Sequence, residues 1–92
     1  MKQFVVIAYD IADDRRRQRI AKVLVTFGIR CNESVFECLL TQAKIHKMLQ
    51  QLNMLANEKE DSILIYYLCK PCVMKRETIG YRPQQLSETV MI

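Results

Sequence analysis

Two kinds of apolar pattern alternate along the chain, and they predict the order of its elements. A continuous β-branched and aromatic run predicts a strand over 3–10. Helical spacing of i, i+3, i+4, i+7 follows and predicts an amphipathic helix over about 14–27. The apolar residues of this helix are Ile20, Val23, Leu24 and Phe27. Asp13 or Asp14 can cap its start, and Gly28 is the expected stop.

The same pattern continues with one additional strand. Two short strands are expected at 29–32 and 34–40, and Thr41 can cap a second helix. The apolar residues of that helix are Ile45, Met48, Leu49, Leu52 and Leu55. A fourth strand covers 62–68 after a charged turn. The order β-α-β-β-α-β is the ferredoxin-like pattern of an α+β domain.

This domain is expected to span 1–68, and residues 69–92 form a C-terminal tail that contributes to a dimer. A charged loop is expected after Pro71, because proline commonly breaks helices. The tail ends in an apolar segment, 89–92, that suits a short extra strand.

The first and fourth strands are apolar on both faces, which two helices on one side of a sheet do not explain. An antiparallel sheet covered on one face normally presents polar residues on the other. Both alternating sets of the first strand are apolar: Phe4, Val5, Val6, Ile7, Ala8 and Tyr9. We therefore expect a second copy of the chain to cover the second face, as a homodimer. The alternative is that the tail folds back over its own sheet.

The excess positive charge is confined to the first third of the chain. The formal net charge of the 92 residues is +4. Residues 1–30 carry seven basic and three acidic side chains, whereas the remaining residues carry seven of each. A basic stripe attracts a polyanion through phosphate neutralisation and counterion release. The alternative is an ordinary solvated helix face.

Neither a membrane span nor a signal peptide is expected, and the protein is predicted to be cytoplasmic. Its four cysteines are then expected to be reduced thiols. Residues 69–72 match Cys-x-x-Cys, which raises zinc or redox chemistry. Ordinary thiols are favoured because Cys31 and Cys38 are spaced more widely than usual ligand pairs, and because Pro71 argues against a helix after the motif.

Asp10 is the candidate catalytic and metal-binding residue. It ends an apolar strand, where a carboxylate loses hydration unless something compensates. Mg²⁺ is one compensator, because it takes oxygen ligands from carboxylates, water and phosphate and can assist phosphodiester hydrolysis. A loop-capping aspartate is the alternative. One carboxylate per chain is few for a nuclease, but a two-fold axis near the first strand would bring two copies of Asp10 together.

Basic residues after Asp10 are the candidate nucleic-acid-binding set. Cations in the first turn of a helix oppose its macrodipole, so phosphate binding explains them better than helix stability does. The candidates are Arg15, Arg16, Arg17, Arg19 and Arg30. At least one of Arg16 and Arg17 should border the buried side, whereas Arg15, Arg19 and Lys22 should face solvent.

Two aromatic residues, Tyr9 and Phe36, are candidates for stacking on bases, although core packing is the favoured role for each. His46 is the one histidine and is expected at the surface, which argues against histidine metal clusters and a Ser-His-Asp triad. Two glycines in the whole chain exclude a Walker loop and a GxGxxG turn.

These residues together resemble the small CRISPR-associated protein family Cas2, over roughly residues 1–68. The resemblance is carried by Tyr-Asp-Ile-Ala-Asp-Asp at 9–14, the arginine-rich segment 15–22, Gly-Ile-Arg at 28–30 and Ser-Val-Phe-Glu at 34–37. The combined pattern is specific, although no single segment is. The Cys-x-x-Cys motif is not part of the resemblance.

The resemblance implies a ferredoxin-like homodimer that bridges two dimers of the CRISPR integrase, Cas1, during spacer acquisition. It also implies a Mg²⁺-dependent phosphodiesterase that acts on single-stranded RNA or double-stranded DNA. Asp10 falls on the family's metal-binding aspartate. Positions linked to activity or nucleic-acid binding are Tyr9, Arg17, Arg19, Arg30 and Phe36.

Three hypotheses follow for function. The chain is an adaptor in an integration complex, a metal-dependent endonuclease, or an unrelated ferredoxin-like RNA-binding or toxin-like module. The first two share the fold, the dimer and the basic face, and the sequence does not choose between them.

Overall fold

The computed structural model describes residues 1–80, and the expected strand at 89–92 lies outside the described residues. In chain order the elements are β1 (Gln3–Asp10), α1 (Asp14–Val25), β2 (Gly28–Asn32), β3 (Val35–Leu40), α2 (Gln42–Leu55), β4 (Ser62–Leu68) and α3 (Lys70–Met74). The strands form one antiparallel sheet in the order β2-β3-β1-β4. The α+β, ferredoxin-like prediction is confirmed.

Helix starts follow from side-chain caps at the expected positions. Asp13 precedes α1, and its carboxylate accepts the Arg16 backbone N–H at 2.8 Å. Thr41 precedes α2, and its hydroxyl accepts the Lys44 backbone N–H at 3.3 Å. Each cap satisfies an N–H that has no partner within its helix. Within residues 1–80, no helix has the length and apolar character needed to cross a bilayer.

Gly28 has a different role from the helix stop that the sequence predicted. Helix α1 already ends at Val25, and Gly28 is the first residue of β2. A Cβ atom at this position would lie 2.3 Å from the Glu37 carbonyl oxygen and 2.5 Å from the Cys38 sulfur. The prediction of a helix stop was wrong, because Gly28 instead allows β2 to approach β3 closely where a side chain would clash.

The main core lies between one face of the sheet and helices α1 and α2. Val5, Ile7 and Tyr9 of β1 point into it and are at most 5% exposed. Ile20 and Leu24 of α1 are fully buried against them. Helix α2 contributes the apolar stripe Ile45, Met48 and Leu52.

The first part of the tail covers one end of the second face, where a loop was expected. Residues 70–74 form the short helix α3, with Cys69 at its N-cap and Pro71 in its first turn. The loop prediction was wrong because the first turn of a helix tolerates proline, whose missing N–H has no intrahelical partner there. Val73 is buried against Phe4. The Arg76 guanidinium lies 3.1 Å from the Glu37 carboxylate, which projects from β3.

Large apolar side chains still lie exposed at the other end of this second face. Leu64 and Tyr66 of β4 are 51% and 52% exposed. They pair in register with Ala8 and Val6 of β1. The folded-back tail therefore covers the Phe4 end of the face and leaves the Asp10 end open among the described residues.

Candidate nucleic-acid interface

A groove of about 980 Å³ opens at the C-terminal end of β1, between α1 and β2. Its charged and aromatic lining consists of Tyr9, Asp10, Arg17, Lys22, Arg30 and Glu33. Four of the predicted site residues, Tyr9, Asp10, Arg17 and Arg30, are therefore brought to one place by the three consecutive elements β1, α1 and β2. Asp10 and the candidate phosphate-binding cations Arg17 and Arg30 therefore line a single concave surface.

Asp10 is the last residue of β1 and is exposed. Its ladder partner is Ser62, the first residue of β4. Because side chains alternate along a strand, Asp10 shares the second face of the sheet with Ala8 and Val6. The carboxylate thus stands where the groove meets the open end of the second face.

Asp10 can supply one carboxylate ligand to a hard divalent cation. An exposed carboxylate oxygen suits Mg²⁺, which retains several waters and commonly uses only one or two protein carboxylates together with phosphate. Within residues 1–80, no three His, Cys, Asp or Glu side chains gather to hold a metal ion. A single chain therefore offers part of a coordination shell at Asp10, and the rest must come from water, substrate or a second chain.

Two contacts orient the side chain of Arg17, which lines the groove. Its Nη1 donates to the Ile11 carbonyl at 2.9 Å, and its Nη2 donates to the Asp14 carboxylate. The side chain is still 44% exposed. The Ile11 contact fixes the Arg17 guanidinium close to the backbone of the residue that follows Asp10. Such an oriented guanidinium can bind a phosphate group.

Arg30 lies on a support of two aromatic rings. Its guanidinium carbon is 5.3 Å from the centroid of the Phe36 ring, and its Nη2 donates to the Tyr9 hydroxyl at 3.2 Å. Tyr9 in turn donates to the Glu33 carbonyl at 3.1 Å. These contacts hold the Arg30 charge over the groove through cation–π attraction and a hydrogen bond.

The two rings themselves do not offer stacking faces to a base. Phe36 is 0% exposed and Tyr9 is 5% exposed, and they stack on one another with centroids 6.2 Å apart. The base-stacking role is wrong for both residues, because burial leaves them as supports for Arg30. The favoured role of core packing fits their position.

Arg16 lies on the other side of α1 and has an acidic partner of its own. Its Nε and Nη2 lie 2.5 Å and 3.0 Å from the two carboxylate oxygens of Asp61. Asp61 also accepts the backbone N–H groups of Ala12 and Asn57. These hydrogen bonds, led by that from Arg16, lower the pKa of Asp61, and the same contact raises the pKa of Arg16. Arg16 therefore bridges α1 to the turn before β4.

The remaining predicted cations, Arg15 and Arg19, are exposed on α1 as expected, but they do not line the groove. Lys22 does line it, together with Gln18, and neither stands among the predicted site residues. The missed signal is helical spacing: positions 18 and 22 share a face four residues apart. Arg17 and Ala21 border that same face.

Comparison with known proteins identifies the family of the chain. The family described as CRISPR associated protein Cas2 matches residues 1–76. A CRISPR-associated endoribonuclease Cas2 from Chloroflexus aurantiacus is 44% identical over 81 residues, which cover 87% of this chain and 87% of the relative. Another of that description from Rhodospirillum rubrum is 43% identical over 75 residues, covering 82% of this chain. The chain spans 60% of the length of that relative.

Solved structures show the same fold. A hypothetical protein from Thermus thermophilus superposes with a TM-score of 0.82 at 31% identity, covering 91% of this chain and 98% of that one. Streptococcus pyogenes Cas2 gives a TM-score of 0.76 at 34% identity, with 84% and 99% covered. A chain of a partial Cas6-RT-Cas1–Cas2 complex gives 0.61 at 27% identity, with 91% and 99% covered. The chain therefore belongs to the CRISPR associated protein Cas2 family.

Proposed function

We propose that the chain acts in CRISPR spacer acquisition as a cytoplasmic homodimer that binds nucleic acid along the groove and hydrolyses phosphodiester bonds with Mg²⁺ held at Asp10. The observation that carries this proposal is the placement of Asp10 beside Arg17, Lys22 and Arg30 in one groove. Its family membership and the endoribonuclease names of its relatives support a nuclease reaction.

Binding is assigned to the groove cations rather than to base-specific groups. Arg17 is oriented by the Ile11 carbonyl, and Arg30 is oriented by Tyr9 and Phe36. Oriented guanidiniums bind phosphate oxygens with little loss of side-chain freedom. Glu33 and Asp10 lie in the same lining and repel phosphate. The nucleic-acid backbone is therefore expected to follow the basic side of the groove, which places a phosphate next to Asp10.

The reaction requires a cation that reduces this repulsion. When bound at Asp10, Mg²⁺ would supply Lewis acidity toward a phosphoryl oxygen. The chain itself contributes a carboxylate ligand from Asp10 and positions the scissile phosphate through Arg17 and Arg30. The lining offers no histidine, so proton transfer is assigned to solvent rather than to an imidazole.

The homodimer is proposed from the open end of the second face. Leu64 and Tyr66 are half exposed there, beside the strand end that carries Asp10. Burying such side chains in a partner is favourable by roughly 25 cal/mol per Å² of apolar surface. A second copy on this face would bring the two Asp10 carboxylates toward each other, which adds oxygen ligands to the incomplete site.

The test is cleavage of labelled single-stranded RNA and double-stranded DNA with Mg²⁺, by wild type, Asp10→Asn and the control Glu77→Gln. Glu77 is an exposed acid after α3, which packs at the Phe4 end of the sheet, away from Asp10. We expect wild type and the control to cleave, with EDTA abolishing the activity. Asp10→Asn should lose at least about 100-fold, because a catalytic metal contributes several kcal/mol to transition-state stabilisation. Equal cleavage by Asp10→Asn would remove Asp10 from the proposal.

A second candidate function is a non-catalytic adaptor that binds DNA and bridges Cas1 dimers. One observation favours it: the likeness to a chain of a partial Cas6-RT-Cas1–Cas2 complex. The discriminating measurement is spacer acquisition in cells carrying Asp10→Asn. Acquisition at the wild-type level, with an intact dimer by sedimentation, would support the adaptor. Loss of acquisition together with cleavage would support the nuclease.

A further inference from the structure

The Cys-x-x-Cys motif is placed at the junction of the edge strand and the short helix. Cys69 follows β4 directly and is the N-cap of α3, and Cys72 lies one turn further on. Both cysteines are free and exposed. Their sulfur atoms are 3.1 Å apart. The motif thus has two accessible thiols in mutual contact, after a strand and at the start of a helix.

The other two cysteines provide an internal contrast. Cys31 and Cys38 are buried, and burial raises the pKa of the Cys38 thiol to about 12. The pKa of Cys69 is lowered, chiefly by the hydrogen bond from the Cys72 thiol and then by the Cys72 backbone N–H, with Lys75 adding a favourable charge. The pKa of Cys72 is raised by the same thiol contact. Thiolate character is what makes a cysteine nucleophilic.

We propose that Cys69 and Cys72 form a redox-active dithiol site that exchanges with low-molecular-weight disulfides of the glutathione class. The Cys69 thiolate attacks one sulfur of oxidised glutathione, forming a mixed disulfide and releasing one glutathione thiolate. The Cys72 thiolate then attacks the Cys69 sulfur and releases the second glutathione. The two cysteines lose two electrons and two protons, and one oxidised glutathione becomes two reduced molecules.

Closure of this disulfide requires little movement of the fold. A disulfide bond is about 2.05 Å long, so the two sulfurs approach by about 1 Å from their contact distance. Cys72 immediately precedes Val73, which is buried against Phe4 on the second face. Oxidation should therefore leave α3 packed on the sheet, and reduction should be reversible without unfolding.

Zinc is the competing ligand for two adjacent thiolates. A structural zinc site takes four ligands, and across residues 1–80 no three His, Cys, Asp or Glu side chains gather around a metal position. Disulfide exchange needs only the two thiols that are already in contact. Stoichiometric zinc on this pair of cysteines would overturn the proposal.

The experiment incubates the purified, fully reduced protein with oxidised glutathione at pH 7, in EDTA, and follows it by intact mass and peptide mapping. The variants are Cys69→Ser, Cys72→Ser and the control Cys31→Ser. Wild type and Cys31→Ser should form one intramolecular disulfide between Cys69 and Cys72. Cys72→Ser should instead accumulate one glutathione on Cys69. Cys69→Ser should react several-fold more slowly than Cys72→Ser, because the charge of Lys75 favours the thiolate of Cys69 and not that of Cys72.

Three results would overturn the proposal. One is four free thiols in wild type after the incubation, with Cys69→Ser and Cys72→Ser reacting equally slowly. Another is a disulfide that includes Cys31 or Cys38. The last is stoichiometric zinc in protein purified without EDTA, lost on changing either Cys69 or Cys72 to serine. The assay contains no nucleic acid, so its outcome is independent of the proposed nuclease function.

Discussion

Arg16 and Arg17 are neighbours in sequence, yet the structure gives them different surroundings. Arg16 turns toward the opposite side of α1 and bonds to both oxygens of Asp61, a carboxylate whose side chain is 1% exposed. Arg17 turns toward the groove, bonds to the Ile11 carbonyl and remains 44% exposed. One guanidinium fixes the helix to the turn before β4, whereas the other presents its charge beside Asp10.

This difference shows how a run of like charges can divide between stability and binding. Successive residues of a helix point about 100° apart, so a run of three arginines necessarily covers more than one face. The side facing the turn before β4 holds the fold through Asp61. The groove side carries Arg17 and Lys22 and is completed by Arg30 from β2.

The largest expected effect is a charge reversal on the groove side. Arg30→Glu should weaken binding of double-stranded DNA by about 100-fold at 0.1 M salt, because it removes one phosphate contact and adds a repulsive charge. Fluorescence anisotropy measures the Kd. The matched control is Lys47→Glu, at an exposed position of α2 outside the groove lining. It makes the same change of net charge and should weaken binding much less. Equal losses for both variants would indicate attraction by net charge alone.

A smaller loss is expected when one groove contact is removed. Arg17→Ala should weaken binding about tenfold and reduce the slope of log K against log salt by about 0.9, the contribution of one phosphate contact on duplex DNA. A salt titration of wild type and variant measures both quantities. An unchanged slope would show that the Arg17 guanidinium does not contact phosphate.

The sequence predicts the elements well because their periodicity is local. The helical spacing in α1, the caps Asp13 and Thr41, and the continuous apolar strand β1 each depend on residues close in sequence. The predictions of a helix stop at Gly28 and of a loop after Pro71 were wrong, because the roles of both residues depend on tertiary contacts. Gly28 meets β3, and Pro71 lies in the first turn of a helix whose Val73 packs on Phe4.

The candidate site was predicted in part for the same reason. Asp10, Arg17 and Arg30 are recognisable as a carboxylate and cations near one strand end. The sequence does not show that Arg16 has Asp61 as a partner 45 residues away, nor that Phe36 is buried beneath Arg30. The first fact depends on the pairing of β4 with β1, and the second on the pairing of β2 with β3, which sets Arg30 opposite Phe36.

A change on the other side of the helix should have a smaller effect on binding. Arg16→Ala should keep the Kd for DNA within about twofold of wild type at 0.1 M salt, since its charge is already compensated by Asp61. Its Tm should fall by several degrees, because Asp61 is left without its main partner. Thermal unfolding followed by circular dichroism, beside the anisotropy assay, separates these effects.

The smallest expected effect is a pH dependence of stability. The pKa of Asp61 is lowered in the folded chain, so its contribution is fully present above the unfolded value of about 4 and is lost as the pH falls through the lowered folded value. Wild type should therefore lose more Tm than Arg16→Ala does as the pH falls from 5 to about 2, a range that starts above the unfolded value and runs toward the lowered folded value. Parallel pH curves for the two proteins would contradict this role of the ion pair.

The most direct test of the account compares Arg16→Ala and Arg17→Ala side by side, measuring for each the Kd for double-stranded DNA and the Tm. The account predicts opposite outcomes. Arg17→Ala should lose about tenfold in affinity with a nearly unchanged Tm, and Arg16→Ala should lose Tm with a nearly unchanged Kd. Weakened binding by Arg16→Ala at wild-type stability, with full binding by Arg17→Ala, would place the nucleic acid on the opposite side of α1 and contradict the assignment of the groove.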